Sequence, residues 1–223
     1  MSLLVRRPGL FTTVQDLGRP GFGALGVPPS GAMDAFALRL ANRLVGNRDE
    51  AAGLEMTLAG PEIELGEDAW IALTGSRFGA EREGGQAPHA EAFFVRRGRV
   101  LAIGRSLEGA RGYLAVRGGV DVPVILGSRS TLVTAGFGGH EGRALRAGDR
   151  LPIGRAVGEA KRRAADPSAL IPYAEQRTLR VIPGPDTEAF SSAARSSFSS
   201  STYLVTQRSD RMGIRLEGAP IER

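Results

Sequence analysis

Five polar side chains lie within a single twenty-residue stretch, Gln15 to Asp34, reading QDLGRPGFGALGVPPSGAMD. They are Gln15, Asp16, Arg19, Ser30 and Asp34, a set able to donate to a carbonyl oxygen, accept from an amide, bind an anion and carry a proton. Glycine lets the backbone turn through positive φ and proline fixes φ, so the stretch reads as a long, specifically shaped loop of the kind that carries function. Two further places share that chemistry. Glu55 interrupts the apolar run Leu54 to Leu58, either as the solvent-facing alternate of a strand or as an inward acid in a pocket. Arg129 is flanked by Ser128, Ser130 and Thr131, a group suited to a carboxylate, phosphate or ureido oxygen, or to capping its own loop. Asp210, Arg211 and Arg215 gather around Gly213, and His140 stands in the glycine-rich GFGGHEG as a permissible proton carrier.

Composition removes several chemistries. The 223 residues contain no cysteine, so disulfides, thiolate catalysis and cysteine-ligated zinc are excluded, and no metal site is expected. Lys161 is the sole lysine and lies in a charged connecting stretch, which argues against Schiff-base chemistry and against a P-loop of the form GxxxxGK[ST]. Gly21, Gly23 and Gly26 spell GxGxxG, but the chain continues into Val27-Pro28-Pro29 instead of a helix, so the dinucleotide reading is rejected. The net charge of +5 comes from arginines scattered among acids, with few aromatics, and nucleic-acid binding is not expected. MSLLVRRPGLF has too short an apolar run for a signal peptide, and no run of about 18 apolar residues occurs. A cytoplasmic protein without membrane contact is the expectation.

The elements that must hold these residues are mostly strands. Leu3 to Val5, Thr12 to Val14, the alternating LEMTLAGPEIEL and AWIALTG, the pair of strands in EAFFVRRGRVLAIG, YLAV and VPVILG all have strand patterning, with turns at Pro8-Gly9, Gly60-Pro61 and Gly118-Gly119. One helix is expected after Ser30 as N-cap. Its buried face is Met33, Phe36, Ala37, Leu40, Ala41, Leu44 and Val45, with Asp34 in the first turn and Gly46-Asn47 at its end. After Gly154 the composition shifts. The reading is a β-rich domain over 1–154, a linker over 155–178 and a second domain starting at 179, with LRVIPGPD as strand and turn, a short helix capped by Asp186, a serine-rich surface loop from Ser191 to Thr202, and the strand YLVT.

QDLGRPGFGALGVPPSGAMD, LANRLVGN, GYLAVRGGVDVPVILGSRST, GGHEGRALRAGD and SDRMGIRLEG, in that order and spanning almost the whole chain, resemble the allophanate hydrolase subunit 2 family. That family includes the C-type subunit of 5-oxoprolinase, the antagonist of a sporulation kinase inhibitor, and the carboxyltransferase region of urea carboxylase. The resemblance implies a mainly β architecture of cyclophilin-like barrel domains with one or two short helices. It implies a component of an ATP-dependent 5-oxoprolinase, opening 5-oxo-L-proline to L-glutamate with A-type and B-type 5-oxoprolinase subunits as partners that handle the ATP, and no cofactor on this chain. The alternatives are a carboxyltransferase component acting on urea or another amide with biotin on a separate carrier, and a non-enzymatic regulator that binds a subunit-1-type partner. Family members continue past RLEG, so the second domain, 179–223, reads as incomplete. On this chain Asp34, Glu55 and Arg129 are the expected catalytic groups, and Gln15, Asp16, Arg19, Ser30, Ser130 and Arg211 the expected substrate-binding groups.

Overall fold

Asp34, four residues beyond the expected cap, starts the helix of the first half of the chain. The computed structural model describes residues 2–159, 161–170, 178–211 and 213–222. In it, helix α1 spans Ala35–Val45, and the Asp34 carboxylate accepts from the Ala37 N–H. Ser30 cannot begin it because Gly31 follows at φ +84, with its Cα turned against the Leu17 carbonyl where a side chain would collide. Gly46 ends the helix in the left-handed conformation, as the sequence suggests. The buried face is Ala37, Leu38, Ala41, Leu44 and Val45, whereas Met33 and Phe36, expected inside, are half exposed. Both lie at or before the first turn, ahead of the sheet that covers the later turns.

The chain divides into two units, residues 1–175 and 176–223. In the first, the strands are β1 (Ser2–Arg7), β2 (Phe11–Gln15), β3 (Gly53–Thr57), β4 (Glu62–Leu65), β5 (Ala69–Gly75) and β6 (Phe78–Arg82). They continue as β7 (Gly85–Gln86), β8 (Ala92–Val95), β9 (Val100–Ser106), β10 (Arg111–Val116) and β11 (Arg150–Pro152). Antiparallel pairing makes a six-stranded sheet in the order β11-β1-β4-β9-β6-β7 and a five-stranded sheet in the order β2-β3-β10-β5-β8. Neither closes into a ring. EAFFVRRGRVLAIG supplies two strands, as expected, but β8 and β9 belong to different sheets, so Arg96 to Arg99 turn a corner between sheets.

One core fills the space between the sheets, with Leu3, Val5, Ile63, Leu65 and Leu101 from one and Leu54, Met56, Ile71, Leu114 and Val116 from the other. The far face of the five-stranded sheet is covered by α1. Ala115, Ala72 and Ala92 lie in register across β10, β5 and β8, and these small side chains let Ala41, Leu44 and Val45 of the helix approach the backbone. A central strand here is buried on both faces.

VPVILG forms no strand. Pro123 has no N–H to offer, and Leu126 and Gly127 both take positive φ in a tight turn closed between Ile125 and Ser128. In the second unit LRVIPGPD also lies outside any ladder, with Leu179, Val181 and Ile182 exposed. The serine-rich run is helix α2 (Ser192–Ser200), not a loop. Ser191 caps it by accepting from Ala194 N–H, and Ser199 and Ser200 donate back to the carbonyls of Arg195 and Ser196, so the hydroxyls are satisfied within the helix. The expected YLVT strand is present as β12 (Tyr203–Val205), paired with β13 (Leu216–Gly218).

A turn before β11 carries the most strongly shifted carboxylate. Arg143 grips both oxygens of Asp149 at 2.7 and 2.9 Å, and Arg146 N–H adds a third bond at 2.7 Å. The Arg143 hydrogen bonds lead in holding the Asp149 carboxyl down at about 2, against the opposing effect of burial. A depressed carboxyl stabilises the fold above the unfolded value near pH 4 and loses that contribution as pH falls toward 2. Asp149→Asn is therefore expected to flatten the acid limb of a urea-midpoint profile between about pH 4 and pH 2. An unchanged slope there would contradict this assignment.

Candidate functional site

The loop of Gln15 to Asp34 is closed at its neck. Ala32 N–H bonds to the Asp16 carbonyl at 2.8 Å and Arg19 N–H to the Pro29 carbonyl at 2.7 Å, leaving residues 20–28 as an exposed tip with a short 3-10 turn at Gly23–Leu25. No helix is entered through its glycines.

Asp16 joins this neck to the Ser128–Thr131 segment. Its Oδ1 accepts from Gly18 N–H at 2.7 Å, Ser128 Oγ at 2.6 Å and Ser130 Oγ at 2.5 Å, while Oδ2 accepts from Arg129 N–H at 2.6 Å. Four donors on one buried carboxylate tie together segments more than a hundred residues apart in sequence. Arg19 completes the knot. Only 1% exposed, it donates through Nη1 to Ser30 Oγ at 3.1 Å, through Nη2 to the Ser130 carbonyl, and through Nε to the Ile125 carbonyl at 3.4 Å, and it stacks over Phe137. Burial lowers its pKa and the Asp16 charge opposes that shift. Gly138 and Gly139 pack against Ser130 and Thr131 at positive φ, where any side chain would strike them. The Gln15 amide donates to Thr13 Oγ1 and the Thr131 carbonyl, and its Oε1 is buried without a partner.

A second cluster is laid across the five-stranded sheet beneath the start of α1. Thr13, Glu55, Tyr113 and Thr74 are register partners on β2, β3, β10 and β5, so their side chains share the helix-covered face. Glu55, 2% exposed, is the inward acid. Its Oε2 accepts from Tyr113 Oη at 2.8 Å and from Met33 N–H at 2.8 Å. The Tyr113 oxygen in turn accepts from Asp34 N–H at 2.7 Å, and Thr74 Oγ1 donates to the Ala37 carbonyl of α1 at 2.7 Å. Arg111 Nε stands 3.9 Å from Glu55 Oε1, an ion-pair distance but too long for a hydrogen bond. Burial first, then the Glu55 charge, push the Tyr113 phenol well above the ordinary tyrosine range, so it stays a neutral donor.

The Gln15–Asp34 loop and the Ser128–Thr131 segment thus meet through Asp16 and Arg19. Asp16, Arg19, Ser30, Ser130 and the Arg129 backbone form one cluster, and Glu55 with Asp34 forms the other. The Arg129 guanidinium is turned elsewhere, donating to the Val122 carbonyl at 2.9 Å and to Asp121 at 2.7 Å. Chemically, the Glu55 cluster offers a carboxylate and a neutral phenol fixed beside the first peptide groups of a helix, where anions are favoured.

A family model for the carboxyltransferase domain, subdomains A and B, matches residues 25–223. The chain belongs to the carboxyltransferase-domain family. It is 40% identical over 221 residues to the C-type subunit of 5-oxoprolinase from Escherichia coli, covering 99% of this chain and 70% of that protein. Against the C-type subunit of 5-oxoprolinase from Haemophilus influenzae it is 33% identical, covering 94% of this chain and 66% of that one. The urea amidolyase of Lachancea kluyveri is 40% identical over 96% of this chain, which spans only 12% of that longer protein. In three dimensions it is similar to the urea carboxylase of Kluyveromyces lactis, with a TM-score of 0.85 at 34% identity over 98% of this chain and 20% of that one.

Within this carboxyltransferase-domain chain, Arg211 lies in the second unit, in the loop between β12 and β13 where Asp210 and Gly213 bond to each other. His140 Nε2 sits 3.3 Å from Asp149 Oδ1, beside the carboxylate that Arg143 grips. Sequence reading missed Tyr113 as a site member, and a tyrosine inside an otherwise aliphatic strand was the available signal for it. Among the described residues no group of three or more potential metal ligands occurs, and no helix is long and apolar enough to cross a membrane.

Proposed function

We propose that this chain acts as the C-type subunit of an ATP-dependent 5-oxoprolinase, which adds water across the lactam amide of 5-oxo-L-proline and yields L-glutamate. The observation that carries this reading is the match to the C-type 5-oxoprolinase subunit over 99% of the chain and 70% of the Escherichia coli protein, at 40% identity. A-type and B-type partner subunits complete the enzyme and handle the ATP, since this sequence has no P-loop lysine. In this reading Asp34 and Glu55 orient the lactam or move its proton, and the Asp16 knot with Arg19, Ser30 and Ser130 fixes the loop that presents them. Gln15, buried against Thr13 and the Thr131 carbonyl, steadies that loop from inside, while Arg129 on the first unit and Arg211 on the second each contribute at surfaces shared with partners. Opening an amide needs a base for water and a group that orients the lactam. Glu55 is a carboxylate of that type, and the Tyr113 hydroxyl, whose proton is given to Glu55, positions it and the Asp34 N–H.

The test is ATP-dependent glutamate release from 5-oxoproline by this chain co-purified with its partners. Asp34→Ala is expected to lower kcat by about a hundredfold, the range for a lost acid–base or orienting group. A stable complex that releases no glutamate, or an Asp34→Ala complex as active as the parent, would overturn the reading.

The urea carboxylase likeness favours one second reading, carboxyl transfer to urea or another amide. Biotin would then arrive on a separate carrier, because the only lysine, Lys161, is an exposed residue beside Glu159 with no biotinylation motif around it. Bicarbonate-dependent turnover that avidin abolishes would favour this reading. Biotin-independent glutamate release would exclude it.

A further inference from the structure

We propose that the groove between the β6–β7 hairpin and edge strand β8 is a binding site for a small monocarboxylate carrying an apolar ring or chain. The groove has a volume of about 640 Å3, within the range of small-molecule sites, and no residue of the Asp16 or Glu55 cluster lines it.

Its polar end is cationic and unsatisfied. The Arg82 Nε–H is buried with no acceptor, and the rest of that guanidinium makes a single 3.2 Å bond to the Glu83 carbonyl while lying 5.8 Å over the Phe93 ring. A buried donor left without an acceptor is costly, and the Arg82 guanidinium that carries it lines the groove, where a carboxylate would be held by charge-assisted bonds to its other N–H groups. Arg77, exposed at the same groove, has no carboxylate within ion-pair distance among the described residues, whereas Arg162 at the rim is already paired with Glu91. His89 also faces the groove. Burial and the nearby Arg77 charge lower its pKa, so it serves as a neutral hydrogen-bonding group and adds no third positive charge. One fork-shaped guanidinium with a missing acceptor, backed by one exposed arginine, matches a monoanion better than a phosphate dianion.

Part of the lining, across the edge strand from Phe93, is apolar. Trp70 and Phe94 stand with ring centroids 5.8 Å apart, and Phe94 is 41% exposed on an edge strand. Such a wall accommodates a ring or short hydrocarbon chain, and the arginines anchor the carboxylate. This site does not depend on the 5-oxoprolinase reading.

Trp70 is the single tryptophan of the chain and lines this groove, so a change in its emission on titration is assigned to one side chain. The isolated full chain should be titrated with cyclohexanecarboxylate, with uncharged cyclohexylmethanol and ring-less acetate as comparison probes. A saturable change in Trp70 emission is expected with the carboxylate, at least about tenfold tighter than with either comparison probe. Arg82→Gln should weaken cyclohexanecarboxylate binding about tenfold, while a circular dichroism spectrum like the parent's shows that the fold is kept. Equal binding of alcohol and carboxylate, no saturable change, or an Arg82→Gln chain that binds as tightly as the parent would each overturn the proposal. None of these outcomes bears on glutamate release by the complex.

Discussion

Replacing Asp16 with alanine is expected to lower the stability of the first unit by about 3–5 kcal/mol, the largest single-residue effect anticipated in the molecule. The carboxylate accepts from Gly18 N–H, Arg129 N–H and the hydroxyls of Ser128 and Ser130, and alanine leaves all four donors without their acceptor. Each buried donor so stranded costs about 1–3 kcal/mol, reduced where water enters the space the side chain vacates. The buried Arg19 guanidinium also loses the neighbouring charge that offsets its desolvation. Asp16→Asn separates these effects. Its carbonyl oxygen still accepts from the hydroxyls, but its NH2 faces the Arg129 N–H, donor against donor, so an intermediate loss of about 2 kcal/mol is expected. Urea unfolding at pH 7 with unchanged m-values measures both. An Asp16→Ala chain within about 0.5 kcal/mol of the parent would show that the knot does not hold the two segments together.

That knot also shows where sequence reasoning reached and where it stopped. The residues at the neck were legible, because a Gly- and Pro-rich loop loaded with hydrogen-bonding groups is a local pattern. Their use was not, since Asp16 spends all its bonds on partners that include segments more than a hundred positions away. Strands were legible wherever one-in, one-out alternation survives, as in β4 and β9. The burial of Glu55 was hidden for the opposite reason. Strand β3 lies between the six-stranded sheet on one face and the segment leading into α1 on the other, so Gly53 to Met56 are all buried, Glu55 with them, and alternation cannot say which way the acid points. VPVILG misled because hydrophobicity was read without the missing N–H of Pro123 or the positive φ that Gly127 makes easy. The serine run misled in the other direction, its hydroxyls being satisfied by the helix they were expected to break.

Tyr113→Phe is expected to produce the second large effect, and it ties stability to the candidate site. The hydroxyl links the Asp34 N–H to the Glu55 carboxylate, and phenylalanine fills the same space without it. Leaving a buried N–H unbonded and Glu55 short of a donor should cost about 1–3 kcal/mol at pH 7. The pH dependence gives an independent readout. Because burial and Glu55 raise the folded-state pKa, the phenol's contribution is fully present below the unfolded value near pH 10 and is lost as pH rises above it. The parent's urea midpoint should therefore fall more steeply than that of Tyr113→Phe above about pH 10, and parallel curves would refute the coupling. A loss of this size leaves a domain of ordinary stability folded at 25 °C. A fall in kcat of the Tyr113→Phe complex under those conditions would then report the displacement of Asp34 at the start of α1, and not unfolding of the chain. Glu55→Gln provides the companion case: the amide oxygen can still accept from Tyr113 or Met33, so stability should drop less than in Tyr113→Phe while any proton transfer through Glu55 is removed.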